Sequence, residues 1–193
     1  MWPSSVRALL CALLCALAPA ASLAQAAPPP PLRVRGAELV TPAGSAVRLR
    51  GVNYFGFNNG QTAPDGLWGG GRAAATDVGH VIFQFRALGF NAVRLPFMFT
   101  DLLRTPPKPK TTACRPTPAA EMCARTLDPA VTKPRNAFPA PRLPLYNGSA
   151  CNSYLPASST LERFAWVVER VVGEGMYALV DYHPMGLEND CLD

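Results

Sequence analysis

Histidine is nearly absent: among 193 residues only His80 and His183 carry an imidazole. No C-x-x-C and no H-x-x-x-H spacing occurs, so the sequence offers no zinc site with the usual ligand spacing. Neither a metal nor an organic cofactor is expected. No G-x-G-x-x-G and no P-loop stands at a strand-to-helix turn, which argues against a nucleotide-binding sheet. No acidic phosphoacceptor cluster marks the early strands, so a flavodoxin-like signalling module is not indicated. Charged residues make up only 16% of the chain, with a formal net charge of +5. The basic residues are scattered, and the nearest thing to a patch, Lys108 and Lys110, sits among prolines. A nucleic-acid footprint is a stripe or a cluster, so no nucleic-acid partner is expected. Beyond the N-terminus no stretch is apolar enough to cross a bilayer.

What is present begins as an export signal. Arg7 supplies a positive start, Ala8 to Leu17 is an apolar run too short to span a membrane, and Ala24-Gln25-Ala26 is an A-x-A cleavage site. Residues 1–26 read as a signal peptide cleaved after Ala26, and 27–31 as a proline-rich linker stiffened by Pro28 to Pro31. The product is then secreted and extracellular, with no membrane attachment after cleavage. Cys11 and Cys15 leave with the signal; Cys114, Cys123, Cys151 and Cys191 remain, in a compartment where disulfides persist. Their three possible connectivities stay open, with at least one disulfide expected at Cys114, Cys123 or Cys151. Asn147-Gly148-Ser149 is a glycosylation sequon.

The mature chain alternates strands and helices. Residues 32–53 predict a hairpin turning at Thr41 to Gly44, followed by a strand from Gly51. A helix is predicted over Asp77 to Leu88, capped by Thr76 or Asp77, with Val78, Val81, Ile82, Phe85 and Leu88 on one stripe. His80 lies within it, partly exposed. Phe90 to Pro96 reads as a short buried strand stopped by proline. Thr105 to Pro156 differs in kind. It holds 11 of the 21 prolines and three of the six cysteines, shows no periodicity, and reads as a stapled surface excursion. A second helix is predicted over Thr160 to Val172. Ser159 and Glu162 form its capping box, and Leu161, Phe164, Ala165, Val168, Val171 and Val172 its stripe. Met176 to Tyr182 is the next buried strand.

Such alternation implies a parallel sheet covered by helices, and continuously apolar strands suit burial on both faces. The expected fold class is α/β, an incomplete (β/α)8 barrel with its first three strands and two helices, preceded by a β-hairpin. Barrels present functional groups at the C-terminal ends of their strands. Two polar residues fall there, Arg94 and His183. Asp181 shares the facing of His183 along its strand. An arginine there can orient a carboxylate through two parallel hydrogen bonds, and a histidine can donate to a sugar hydroxyl. The blander readings are a structural ion pair for Arg94, a core histidine for His183, and for Asp181 a carboxylate that pairs Arg94.

LRGVNYFGFNNGQTAPDGLW after the first strand, then LGFNAVRLP, then GMYALVDYHP, occur in this order. Together they resemble the N-terminal part of a family five glycoside hydrolase, the cellulase (endo-β-1,4-glucanase) family, over about Leu32 to Pro184. The resemblance implies a secreted retaining hydrolase of β-linked glucan or mannan, monomeric when complete, with the β-linked polysaccharide as its partner. It implies that Arg94 orients the nucleophilic glutamate and that His183 lines the cleft beside the reacting bond. It places Asn53, Tyr54 and Phe57 near the cleft floor. Trp68 lies in a loop that could stack on a sugar or simply pack. A retaining mechanism needs two carboxyls about 5 Å apart. The family supplies them as glutamates on its fourth and seventh strands, which lie beyond Asp193. Glu174 falls at the wrong end of its strand, and Glu188, Asp190 and Asp193 match no catalytic position. The expectation is an N-terminal fragment, 32–193, with an insertion at about 105–156, inactive by itself. The alternative is a non-catalytic carbohydrate-binding or cell-wall interaction protein.

Overall fold

The computed structural model describes residues 27–64, 77–109, 112–113, 142–143 and 150–184. The export signal, Trp68, Asn147, Cys114, Cys123, Cys191, Glu188, Asp190 and Asp193 lie outside the described residues.

Two short strands, β1 (Arg33–Arg35) and β2 (Glu38–Val40), form an antiparallel hairpin. It turns at Gly36, whose positive φ of 61° suits a glycine. The expected turn at Thr41 to Gly44 also forms, but it only brings Ala46 back to a single bridge with Val40. The hairpin is therefore one turn earlier and tighter than the alternation suggested.

The central sheet has three parallel strands in the order β3 (Gly51–Asn53), β4 (Ala92–Phe97) and β7 (Tyr177–Tyr182). Asn53 is in register with Arg94, and Arg94 with Leu179. Pro96 does not stop β4; it sits inside the strand opposite Asp181. The physical reason is that β3 has already left the ladder after Asn53. The Arg94 carbonyl accepts from Tyr54 on that side, whereas the Phe97 carbonyl accepts from His183 on the other. By alternation, the N–H that Pro96 lacks would point to the side without a strand.

Helix α1 (Val78–Ala87) enters β4 and helix α2 (Thr160–Gly173) enters β7. Asp77 caps α1 by accepting from the Gly79 and His80 amides, and Ser159 caps α2 by accepting from Glu162 N–H at 3.1 Å. The capping box is only half made, because the Glu162 carboxylate accepts from the Ser158 hydroxyl instead. Both helices are rotated from their predicted stripes. Leu88 and Leu161 are exposed, whereas Phe83 and Val167 are buried. In α2 the buried face runs through Thr160, Arg163, Phe164, Val167 and Val171. Arg163 lies inside because its guanidinium satisfies three carbonyls, Pro156 O at 2.9 Å, Thr62 O at 3.1 Å and Lys108 O at 2.7 Å. Burial pulls its pKa below the usual arginine range.

Val93 and Leu95 of β4 pack with Val78 and Ile82 of α1 and with Phe164, Val167 and Val171 of α2 in one core. Both helices thus cover the same face of the sheet. The other face, carrying Asn53, Arg94 and Leu179, has no helix among the described residues. Strand β7 was expected to be buried on both faces; it is the edge of the sheet, with Leu179 59% and Val180 47% exposed.

The excursion after β4 leaves through a π-helical turn, Thr100–Arg104, and a two-residue strand β5 (Thr112–Ala113). It returns through β6 (Ala150–Cys151), which pairs antiparallel with β5. Two buried acids anchor its return. Asp77 accepts from Tyr154 Oη at 2.6 Å and from the Asn152 amide at 3.2 Å, while Asn152 Oδ1 accepts from the Val78 amide at 2.9 Å. At the opposite end of the sheet the fully buried Glu174 accepts from the Arg142 and Leu143 amides at 3.1 and 3.0 Å.

Candidate active site

Cross-strand pairing puts Asn53, Arg94 and Leu179 on one face of the sheet. Alternation along β7 adds Asp181, two residues on, and its continuation adds His183. Four polar side chains therefore meet on the open face, Asn53 at the end of β3 and Asp181 and His183 at the end of β7; Arg94, expected to close its strand, lies in the middle of β4, because the strand runs on through Pro96 to Phe97. Arg94 is the hub. Its Nη1 donates to Asn53 Oδ1 at 3.4 Å, and its Nη2 donates to Asp181 Oδ2 at 2.5 Å and stands 3.2 Å from His183 Nδ1. The same Asp181 oxygen is 3.7 Å from His183 Nδ1. Arginine has no acceptor, so a neutral His183 accepts through Nδ1 and keeps its proton on Nε2. Half-exposed, the imidazole can then offer an Nε2–H donor to a ligand hydroxyl.

Arg94 and Asp181 keep about a third of their side chains in solvent. Pairs so exposed contribute about 0–1 kcal/mol, so stability alone is a weak reason for the cluster. Its geometry holds a cation, an acid and an imidazole in one fixed order on the open face. Asp181 takes the partner role that its bland reading gave it. Arginine carries five donors; the three contacts named here leave part of the guanidinium for a further carboxylate or hydroxyl.

Of the other residues predicted from the sequence to line the cleft, Tyr54 and Phe57 do not join this group, and Trp68 lies outside the described residues. Tyr54 is 4% exposed and packs edge-on against Phe85, with ring centroids 5.1 Å apart. Phe57 is 0% exposed and packs against Phe164 at 5.0 Å. Their rings belong to the core on the helix side, although the backbone of this segment does line the strand ends. A run of apolar and aromatic residues after a strand looks the same in sequence whether it forms a cleft floor or a core plug.

Asn58 was missed. It is 4% exposed and donates from Nδ2 to His183 O at 3.3 Å. Its Oδ1 is buried with no hydrogen-bond partner among the described residues. Leaving such an acceptor unpaired costs roughly 1–3 kcal/mol. The one sequence signal was its place five residues after Asn53, in a glycine- and asparagine-rich loop. Among the described residues no group of three or more His, Cys, Asp or Glu side chains could hold a metal, and no helix is long and apolar enough to cross a membrane.

No protein-family model matches the chain. Over 60 residues it is 45% identical to the major extracellular endoglucanase of Xanthomonas campestris pv. campestris, a match covering 31% of this chain and 11% of that one. The solved catalytic domain of the major endoglucanase from the same organism aligns at 27% identity and a TM-score of 0.48, over 80% of this chain and 33% of that one. An endocellulase from Pyrococcus horikoshii, solved in complex with cellotetraose, aligns at 24% identity and a TM-score of 0.47, over 80% and 31%. The chain thus spans about a tenth of its curated relative and about a third of each solved structure.

Proposed function

We propose that this chain, related to the cellulase-like glycoside hydrolases of family five, forms the first part of a secreted (β/α)8-barrel hydrolase. It would act on the O-glycosyl bonds of a β-linked polysaccharide, cellulose or a related β-glucan. The observation that carries this reading is the meeting of Arg94, from within β4, with Asn53, Asp181 and His183, from the C-terminal ends of the parallel strands on either side. All the described helices lie on the opposite face. A barrel has this arrangement, with helices outside and reactive groups at one end. The uncovered Leu179 and Val180 support it too, since further strands would bury both.

In this reading the retaining mechanism uses two glutamates from later strands. Arg94 holds the nucleophilic carboxylate in its charged form and fixes its direction. His183 donates from Nε2 to a sugar hydroxyl and takes no part as acid or nucleophile. Asn53 and Asp181 hold Arg94. Trp68 would add a stacking surface. Residues 1–26 serve as the signal, 27–31 as the linker and about 105–156 as an insertion carrying a glycan at Asn147. The β5–β6 ladder supports an insertion, because it brings the outgoing and returning limbs together. A disulfide in that segment is supported by Cys151, buried in β6 and carrying a bonded sulfur.

The test is hydrolysis of a soluble β-1,4-glucan by purified residues 27–193. No turnover is expected, because in this reading the carboxylate pair comes from later strands. Clear turnover that disappears in Glu188→Gln or Asp190→Asn would place the pair here and overturn the assignment of Arg94 and His183 as supporting residues.

A further inference from the structure

We propose that Asn58 is a positioning residue for the Arg94–His183 pair. The three strand ends are closed by a ring of bonds. Met98 N–H donates to Phe57 O at 3.0 Å, His183 N–H to Phe97 O at 2.8 Å, and Asn58 Nδ2 to His183 O at 3.3 Å. The first two join neighbouring strands. The third runs from the loop after β3 to the end of β7, and those two strands are not neighbours in the sheet. It crosses the end of β4. The His183 backbone is thereby held on both sides of its Cα, at the N–H of one peptide and the C=O of the next. With both fixed, the direction of the Cα–Cβ bond is set, which keeps the ring where Nδ1 lies 3.2 Å from Arg94 Nη2.

Packing does not account for an asparagine at this place. The side chain is buried, and its Oδ1 has no partner among the described residues. An apolar side chain of the same size would avoid that unfavourable burial. The amide cannot be turned round to relieve it, because Oδ1 would then face the His183 carbonyl, acceptor against acceptor. What asparagine supplies is the Nδ2 donor. Without it the His183 backbone keeps the bond from its N–H to Phe97 O but loses the tie of its carbonyl across the end of β4, and the ring is held less firmly against Arg94.

The consequence for a sugar ligand rests on the proposed reading of His183. The test does not, because it observes the ring itself. The full chain is labelled with nitrogen-15, and long-range proton–nitrogen spectra of the two imidazoles are recorded for the wild type, Asn58→Ala and Arg94→Ala. In the wild type, the His183 Nδ1 signal lies upfield of an unbonded imidazole acceptor nitrogen. In Asn58→Ala it is expected to move downfield to the position seen in Arg94→Ala, while the His80 signals stay in place. A folded Asn58→Ala protein with the wild-type Nδ1 signal overturns the proposal. If Asn58→Ala does not fold, wild-type hydrogen exchange decides. Slow exchange of the Asn58 Nδ2 protons supports the bond to His183, and rapid exchange overturns it. Failure of the hydrolase reading in a glucan assay would leave these spectra unchanged, so the two failures are distinguishable.

Discussion

Replacing Glu174 with alanine is expected to be among the most damaging single changes to this fold. Glu174 caps α2 and is fully buried. One carboxylate oxygen is 3.2 Å from Arg86 Nε, and the other is 3.8 Å from Arg170 Nη2. Both oxygens also accept backbone amides of the excursion, from Arg142 and Leu143. Alanine would leave two largely buried guanidinium groups without their carboxylate and two amides without their acceptor. Breaking a buried pair from one side costs about 3–5 kcal/mol, and the lost amide acceptors push towards the upper end. Domains of this size are stable by about 5–15 kcal/mol, so a third or more of the stability would go. The expected fall in melting temperature is roughly 6–20 °C, at about 2–4 °C per kcal/mol. Glu174→Gln keeps the shape and one acceptor and should lose less than the alanine variant. Urea unfolding followed by circular dichroism measures both. A Glu174→Ala loss below about 1 kcal/mol would mean that the carboxylate is no anchor and that the buried pair has been misjudged.

Two further outcomes follow from the same excursion. Burial, and then the Asp77 carboxylate it bonds, push the Tyr154 hydroxyl well above the usual tyrosine value of 10.0. A group whose folded pKa is raised contributes stability that is complete below its unfolded pKa and is lost as pH rises beyond it. Unfolding free energy should therefore fall above about pH 10, by at most ~1.4 kcal/mol per pH unit, and Tyr154→Phe should flatten that decline; an unchanged alkaline slope in the variant would contradict it. Non-reducing peptide mapping of the secreted protein should find at least one of Cys114, Cys123 and Cys151 in a disulfide, and four free thiols would refute this.

How much could be read beforehand depended on how local each cause was. Ser159 was legible as a cap, and Asp77 as one of two candidates beside Thr76, because a cap acts within three residues. The order of strands and helices was legible for the same reason. The helix faces were not, because stripe patterns weigh hydrophobicity and cannot foresee a buried cation. Arg163 is drawn inside by carbonyls from three segments, which turns α2 and leaves Leu161 in solvent. Pro96 was misread as a stop because whether a strand tolerates proline depends on where its neighbour ends. His183 could be placed from its strand end and Asp181 from its facing along the strand; Arg94 was put on the right strand but at its end, whereas it lies in the middle of β4. Asn58 could not be placed, since the contact that gives it meaning lies 125 residues away.

The central claim, that the polar cluster at the strand ends faces a β-linked glucan, is tested most directly by titrating nitrogen-15-labelled residues 27–193 with cellotetraose. The account predicts saturable shifts at the His183 ring, the Arg94 side chain and Asn53, abolished in Arg94→Ala, while His80 on α1 and the β1–β2 hairpin stay unmoved. Saturating sugar that leaves His183 and Arg94 unshifted, or that shifts only residues on the helix-covered face, would contradict it.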